Sequence, residues 1–475
     1  MTRFSRIVFL AALFVSPIAV AGQDRLSDGS SISLPTSKSL EIPVPGHIAR
    51  TNSFPATIII SPDGRYAALL DDGFGTQETL ATQSIAILDI KTNQLFDYPD
   101  KRFGEEGHQS YFLGLVFSSD GKHLYASVGS ITDASGEKPG DTGNGIAVYS
   151  FANGKVAPER FIAIEPQALA TGKQVAIGLQ KTPSGTAIPY PAGLGLVSAG
   201  GSDRLLVANN LSDNVVLLDV ASGKVLQRFD LSTDNLVPSS FPYTVVATRD
   251  GRRAWCSLWN ASRIAQLDLV NGRVVRWTKL KLPDDPIAPG SHPTALLLSP
   301  NEKHLYVALS NADSVAMVST EDGGIEGFLD TTLRDQKSPG TYPSELAQSA
   351  DGMKLFVADA SANAVAVFGT EKLKHDHTSE PIIVQALGFV PTDWYPSALA
   401  VQGEDLLIAT AKGQSTGPNN GLGKTSHELK HHGHPYIPTL LRGSIARLNI
   451  PFTLGKLDEF TRTVEHDNLL HSDPG

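Results

Sequence analysis

The sequence has little of what usually identifies an enzyme or a disulfide-stabilised protein. It holds one cysteine, Cys256, so no internal disulfide can form. Cys256 stands between Trp255 and Trp259 in an apolar run, which favours a buried packing role over a reactive thiol. A Gly-rich phosphate loop, a nucleophile elbow, paired catalytic carboxylates and a Cys-rich metal motif are all absent. The common signatures of nucleotide, serine-hydrolase and zinc chemistry are therefore excluded.

Positive charge is also scarce. The 475 residues carry 39 Lys and Arg against 49 Asp and Glu, for a net charge of −10. Without Arg3 and Arg6 the net charge becomes −12. An acidic surface repels a phosphate backbone, so nucleic acid is not favoured as a partner.

Beyond residue 21, no run is long and apolar enough to span a bilayer, so no transmembrane anchor is expected. Residues 1–21 have the pattern of a signal peptide, with Arg3 and Arg6, the apolar run Ile7–Val15 and the small residues Ala19–Ala21. A retained anchor is the alternative, although the apolar run is shorter than the ~20 residues a spanning helix needs. We predict a periplasmic or secreted protein whose polar segment 22–38 is flexible.

A short pattern recurs about every 50 residues, in the range of propeller repeats. Each unit opens with an apolar strand, usually after an aromatic-proline pair, and an Asp-Gly type turn follows. The openings are Phe54-Pro55, Leu113-Gly114, Tyr190-Pro191, Phe241-Pro242, His292-Pro293, Tyr342-Pro343 and Tyr395-Pro396. One such four-stranded sheet cannot bury both faces alone, so the copies must pack against one another.

Counting strands gives the fold class. Seven first, second and third strands can be assigned but only six fourth strands, the last at Ile382–Phe389. We predict an all-β, seven-bladed β-propeller over 39–452 with four-stranded antiparallel blades, followed by a tail over 453–475. The missing outer strand should come from the N-terminal segment at about 40–44, pairing with Ser444–Ile450 and closing the ring.

Three repeats carry a resemblance to a known family. Val207-Ala208-Asn209-Asn210 followed by Asn214–Asp219 resembles the YVTN-type β-propeller repeat, and Leu305–Ala308 and Leu355–Asp359 repeat it. Asp393–Pro396, Gly417–Asn419, Tyr436-Ile437 and Leu440–Ser444 resemble the YncE-like propellers that are joined to an alkaline-phosphatase-type phosphoesterase domain. The resemblance implies a propeller scaffold, and the phosphoesterase motifs themselves cannot be assigned in this chain.

The long connections predict where function lies. The second-to-third strand links Asp71–Gln83, Gly129–Asn144 and Lys412–Gly443 belong to units one, two and seven, which are neighbours in a closed ring. The insertion Glu165–Pro189 adjoins unit two. In a propeller these links emerge on one face, so we expect one loop-rich sector there to carry function.

The first strands should line a central channel. Glu345 is the carboxylate among their central positions, and His292 stands at a strand opening. An acid and an imidazole in a channel could perform general acid–base hydrolysis of a lactone or ester. The alternative is that Glu345 binds ordered water.

Two further sets are weaker candidates. A rim could contact a ligand or partner, or could pack between blades: Asn209, Asn210, Trp259, Asn260, Asp359, Trp394 and Tyr395. His427, His431, His432 and His434 could hold a transition metal, although an exposed polar loop is the favoured interpretation; otherwise no cofactor is expected.

These patterns favour an exported binding or scaffolding module that engages a protein domain or small ligand through its loop-rich face. The alternative is a hydrolase, either a propeller lactonase or esterase using the channel or the propeller portion of a phosphoesterase. Because one propeller scaffold serves many tasks, the repeat alone does not decide between them.

Overall fold

The computed structural model describes the backbone of 18–19 and residues 30–73, 83–103, 107–176, 182–199, 201–280, 290–370, 381–414 and 441–470. Within these ranges the chain forms seven four-stranded antiparallel blades. The innermost strands contact one another in a closed ring, which confirms the predicted seven-bladed β-propeller.

We name the strands of each blade a to d, from the channel outward. Strands a to d of blade 1 are Pro55–Ile60, Tyr66–Asp71, Ser84–Asp89 and Gln94–Pro99, and those of blade 2 are Ser110–Phe117, His123–Gly129, Gly145–Ala152 and Lys155–Ala163. Strands a to d of blade 3 are Pro191–Ala199, Ser202–Asn209, Asn214–Asp219 and Val225–Asp230, and those of blade 4 are Pro242–Ala247, Arg253–Leu258, Arg263–Asp268 and Arg273–Lys279. Strands a to d of blade 5 are Pro293–Leu298, His304–Leu309, Ser314–Ser319 and Ile325–Asp330, and those of blade 6 are Pro343–Gln348, Lys354–Asp359, Ala364–Gly369 and Gly388–Pro391. Strands a to d of blade 7 are Pro396–Gln402, Asp405–Thr410, Ser444–Asn449 and His47–Arg50.

The core lies between the blades. Strands b and c are apolar along most of their length and largely buried on both faces, because each blade is covered by its two neighbours. Within the described residues seven apolar clusters fill the seven interfaces, from that of blades 1 and 2 to that of blades 7 and 1. Packing between blades, more than any single sheet, therefore stabilises the ring.

The turns between strands a and b of blades 1, 2, 4, 5 and 6 follow one design, in which a Ser or Thr hydroxyl bonds to an Asp or Asn two residues later. In blade 1, Ser61 Oγ lies 2.5 Å from Asp63 Oδ1, and the Gly64 amide donates to the Ser61 carbonyl at 2.7 Å. Gly64 has φ +70°, a conformation that glycine adopts without strain because it has no Cβ. The donated hydroxyl bond lowers the pKa of Asp63. These turns lie on the face opposite the residues that open strand a, because each turn follows the other end of that strand.

The ring closes with an N-terminal strand as predicted, but the boundaries of that strand were wrong. Strand d of blade 7 is His47–Arg50, with Ser444 opposite Arg50 and Ala446 opposite His47. Ser39–Ile42 instead pairs with Ser30–Ser33 in a hairpin. Pro43 and Pro45 have no amide hydrogen to donate to a ladder, so pairing with blade 7 begins only after them.

The predicted fourth strand Ile382–Phe389 is also wrong as a single element. Ile382–Gln385 pairs in parallel with strand d of blade 5, and only Gly388–Pro391 pairs within blade 6. The segment bridges two blades because its short extended run is interrupted at Ala386-Leu387 and serves a different edge on each side.

The two ends of the described chain meet on blade 6. Helices α1 (Ile450–Gly455) and α2 (Leu457–Asp467) follow the last strand, where the sequence predicted only a tail. The Asp467 carboxylate accepts from Ser39 Oγ at 2.9 Å and from the Glu41 amide at 3.1 Å. These bonds join α2 to the hairpin of Ser30–Ser33 and Ser39–Ile42. The flexibility predicted over 22–38 stays a prediction.

Short pieces complete the description. Ile18–Ala19 pairs along strand d of blade 1. Two small ladders lie around blade 3, and two 3₁₀ turns occur in blades 1 and 6: Gln167–Ala168 with Thr186–Ala187, Gln174–Val175 with Leu236–Val237, Lys101–Phe103 and Ala360–Ala362. No helix among the described residues is long and apolar enough to cross a membrane.

Candidate functional site

Six residues form a ring at one mouth of the channel, each directly before the proline that opens strand a. All six have a left-handed backbone, with φ between +48° and +69°. They are Phe54, Tyr190, Phe241, His292, Tyr342 and Tyr395. Such a conformation costs bulky residues about 1–3 kcal/mol each, so the surrounding structure must impose it.

The backbone bonds that impose it repeat from blade to blade. The carbonyl of each ring residue accepts the amide of the residue after strand b, for example Tyr395 from Ala411 at 2.8 Å and Phe241 from Trp259 at 3.1 Å. The preceding carbonyl accepts the next amide, as Trp394 does from Lys412 at 3.2 Å. These bonds fix the residues after strand b beside the circle of six left-handed residues, and the two sets together form the channel mouth.

Glu345 lies in strand a of blade 6, three residues after Tyr342 along the chain and therefore deeper in the channel. Its Oε1 accepts the Leu346 amide at 2.9 Å, and the side chain is half-buried. Burial raises the pKa of Glu345 to about 7, with the amide bond acting in the opposite direction. A carboxyl group that exchanges its proton near neutral pH is suited to general acid–base work.

Tyr243, in strand a of blade 4, lies where groups from several blades converge. Its ring meets Phe112 edge-on at a centroid distance of 6.0 Å. Burial is the main cause that raises the Tyr243 pKa well above its ordinary value. Four neighbouring groups raise it further, namely Tyr342, Asp72, Glu345 and Tyr395. The Tyr243 hydroxyl therefore stays protonated at physiological pH and can donate a hydrogen bond.

Two ionisable residues stand at the mouth on blades 7 and 1. Lys412 Nζ lies 4.4 Å from the Tyr395 ring centroid and 4.8 Å from that of Trp394, a cation–π arrangement. Burial lowers the pKa of Lys412. On blade 1, burial raises the pKa of Asp72 well above its ordinary value. The mouth thus holds a cation and two carboxyl groups on three consecutive blades.

The opposite side of the mouth is aromatic. The His292 ring lies 4.1 Å from the Trp259 ring in an edge arrangement, and Trp259 lies 6.4 Å from Phe241. Burial lowers the pKa of His292, so its imidazole is neutral at pH 7. Among the described residues no hydrogen bond or ion pair joins His292 to Glu345. The structure therefore does not bring the two predicted channel residues together as an acid–base pair.

The predicted rim residues fall into two groups. Trp259, Trp394 and Tyr395 do lie at the mouth, as described above. The other members have structural contacts: Asn209 donates to Asn214 Oδ1 at 2.8 Å, Asn210 to the Pro242 carbonyl at 3.1 Å and Asn260 to the Ser239 carbonyl at 3.0 Å. Asp359 is fully buried beneath the mouth, and that burial raises its pKa well above the ordinary value.

The proposed metal ligands His427, His431, His432 and His434 lie outside the described residues. Within the described ranges one group could hold an ion, formed by Glu41, His466 and Asp467 where the chain ends meet. This group does not belong to the channel mouth: Asp467 accepts two hydrogen bonds that join the hairpin to α2.

The sequence analysis did not identify Tyr243, Asp72, Lys412 or Tyr342 as site residues. Two positional signals could have found them. Tyr243 directly follows an opening proline, and Tyr342 precedes one. Asp72 and Lys412 stand one and two residues after strand b, at the positions whose amides bond to the ring carbonyls. Reading those positions across all blades would have gathered the mouth.

Comparisons with known proteins agree with this architecture. The model of the family described as "Lactonase, 7-bladed beta-propeller" matches residues 197–380, from the end of strand a in blade 3 to beyond strand c in blade 6. The match includes Tyr243, His292 and Glu345. No curated protein is significantly similar to the chain. The YVTN and YncE-like resemblance therefore stays a prediction, while the likeness to a lactonase propeller is observed over part of the chain.

Solved structures resemble this chain at low sequence identity. Hydrazine synthase of Kuenenia stuttgartiensis superposes with a TM-score of 0.50 at 14% identity, covering 76% of this chain and 93% of that one. The periplasmic gluconolactonase PpgL of Pseudomonas aeruginosa gives 0.48 at 18% identity, covering 71% and 85%. The chain is a seven-bladed β-propeller, and its residues 197–380 match the family model of lactonase propellers.

Proposed function

We propose that this protein is a hydrolase that opens cyclic esters at the channel mouth. The observation that carries the proposal is Glu345, a half-buried channel carboxyl group with a pKa of about 7 whose charge acts on the protonated Tyr243. The lactonase family match over blades 3 to 6 supports the same reading. It favours the hydrolase over the binding or scaffolding role, which stays a prediction.

The chemistry needs no cofactor. The Glu345 carboxylate takes a proton from water, and the hydroxide so formed bonds to the lactone carbonyl carbon. The carbonyl electron pair moves to oxygen, where the Tyr243 hydroxyl donates a hydrogen bond to the developing charge. The intermediate then breaks its bond to the ring oxygen, which takes the proton from Glu345. The product is an open-chain hydroxy acid.

The remaining mouth residues fit supporting roles. The Lys412 ammonium stands on the side of blades 7 and 1 and attracts an anionic intermediate and product. Trp259, His292 and Phe241 provide an apolar wall against which a lactone ring can pack. A neutral His292 suits this wall, because a charged imidazole would lose solvation there.

The test is lactone turnover by the purified protein and Glu345→Gln. The substrates are D-glucono-1,5-lactone, δ-valerolactone and γ-butyrolactone, and acid release is followed with a pH indicator. We expect at least one substrate to be hydrolysed and Glu345→Gln to lower kcat about 10²- to 10⁴-fold, the usual contribution of general base catalysis. Glu404→Gln, an exposed acid in a turn on the opposite face, is the matched control.

Two results would contradict the proposal. One is no turnover of any of the three lactones by a folded protein. The other is a Glu345→Gln variant that retains the wild-type kcat. Either result would favour the alternative hypothesis, a binding or scaffolding role for the loop-rich face.

A further inference from the structure

The outer strand of blade 4, Arg273–Lys279, is a free sheet edge. In the part of the chain that the structure describes, it pairs only with strand c of its own blade. The outer strands of blades 1 and 5 differ, because Ile18–Ala19 and Ile382–Gln385 pair along them as a fifth strand. Extended segments of this chain thus already bind to two blades by strand addition.

The exposed side chains of this strand are both apolar and basic. Arg273, Val275, Trp277 and Lys279 are exposed, and Trp277 shows 40% of its surface. The residues between them are half-buried, and two of those donate hydrogen bonds to carbonyls of blade 5. Tryptophan and arginine are enriched where one protein contacts another, so this combination on a free edge suits an interface.

The charge of blade 4 is opposite to that of the whole protein. From Pro242 to Lys279 there are seven Lys and Arg against two Asp, a local charge of +5 in a chain whose net charge is −10. Arg263 on strand c lies directly opposite Lys279, and neither forms an ion pair within the described ranges. Like charges directly opposite each other destabilise a sheet, and an anionic partner would relieve that repulsion.

These charges disfavour a second copy of the chain as the partner. Antiparallel pairing of two copies of the strand, centred on Arg276, would bring Arg273 of one opposite Lys279 of the other. Lysine and arginine on an outer strand are a common means of preventing such edge-to-edge association. The same charges favour a strand that carries acids, so they select one kind of partner against another.

We propose that the outer strand of blade 4 binds an extended acidic segment of a partner protein by strand addition. The backbone of the partner pairs with the free edge of Arg273–Lys279. Its apolar side chains pack on Val275 and Trp277, and its carboxylates lie beside Lys279 and Arg263. The site is on the outside of the ring and does not involve the channel mouth.

The test uses the peptide fluorescein-TEVEIEVET-amide, in which acidic and apolar residues alternate, titrated with the full chain and followed by fluorescence anisotropy. We expect a Kd of about 10–100 µM, as for a short transient contact. The charge-reversed peptide TKVKIKVKT should bind at least about tenfold more weakly. The peptide TEVEPEVET should also bind at least about tenfold more weakly, because its proline lacks an amide hydrogen for the ladder.

Three variants locate the contact. Lys279→Glu should weaken binding of the acidic peptide roughly three- to tenfold, and Trp277→Ala roughly tenfold. Lys155→Glu makes the same charge change on the outer strand of blade 2 and should alter the Kd by less than about twofold. Unchanged melting temperatures show that the variants fold. The peptide should also slow amide hydrogen exchange over 273–279.

Four results would overturn the proposal. They are no binding of the acidic peptide at about 1 mM, equal binding of the charge-reversed or the proline peptide, equal effects of Lys279→Glu and Lys155→Glu, and tighter binding of a single-stranded oligothymidylate than of the acidic peptide. The last result would assign the basic edge to nucleic acid.

Discussion

Blades 6, 7 and 1 differ from blades 3, 4 and 5 at the same positions of the channel mouth. After strand b, blade 1 has Asp72 where blade 4 has Trp259, and blade 7 has Lys412 where blade 4 has Asn260. The backbone bonds at these positions are the same in both sectors. Since the scaffold tolerates neutral residues there, its stability does not require the charges.

The difference continues one layer deeper. The residue opposite each opening proline is Asp71 in blade 1 and Asp359 in blade 6, but Leu258 in blade 4 and Leu309 in blade 5. Burial raises the pKa of both aspartates well above the ordinary value. One side of the channel thus stores unfavourable buried acids, and functional sites are where such a cost is commonly retained.

The largest effect expected from this comparison is on catalysis. Tyr243→Phe removes the hydroxyl that would bond to the developing oxyanion, and such a loss typically lowers kcat by about 10²- to 10³-fold. Tyr190→Phe removes the same hydroxyl group from a tyrosine on blade 3 and should lower kcat by less than about threefold. Steady-state kinetics on the best lactone substrate measure both. Equal losses would show that the hydroxyl of Tyr243 has no special role.

The next effect is the pH dependence of turnover. Glu345 acts as a base in its ionised form, and its pKa is about 7. The value of kcat/KM should therefore be constant above pH 7 and fall about tenfold per unit below it, about 100-fold at pH 5. Residual turnover by Glu345→Gln should lack this inflection. A wild-type profile that is flat between pH 5 and 8 would contradict the assigned role.

Stability should change in the opposite sense. The pKa of Glu345 rises from 4.5 to about 7 on folding, so the folded state holds the proton more tightly. Stability from this group is full below about pH 4.5 and is lost as pH rises through 7. Glu345→Gln should then raise the free energy of unfolding by about 1–3 kcal/mol at pH 8 and change it little at pH 4. Urea unfolding at the two pH values measures this.

The repeat pattern predicted the blade count because aromatic-proline openings and Asp-Gly turns are local signals. It did not locate the closing strand, since Leu40–Val44 is as apolar as a true outer strand and only Pro43 and Pro45 disfavour it. Nor did it split 382–389 between two blades, because strand pairing is a tertiary choice. Glu345 was found from its strand position, whereas Tyr243 and Lys412 required knowing which positions converge.

The smallest expected effect comes from exchanging residues between the two sectors. Asp71 and Asn209 lie opposite the opening prolines of blades 1 and 3. Asp71 has a raised pKa, mainly through burial, so its ionised form destabilises the fold increasingly as pH rises. Asp71→Asn should stabilise the protein by about 1 kcal/mol at pH 8, and Asn209→Asp should destabilise it by a similar amount. Both differences should shrink at pH 4, because a protonated aspartate approximates asparagine in charge. If Asp71→Asn instead destabilised the fold at pH 8, the Asp71 carboxyl group would contribute to the packing of blade 1. The acidic residues of blades 6, 7 and 1 would then have a structural role as well as a functional one.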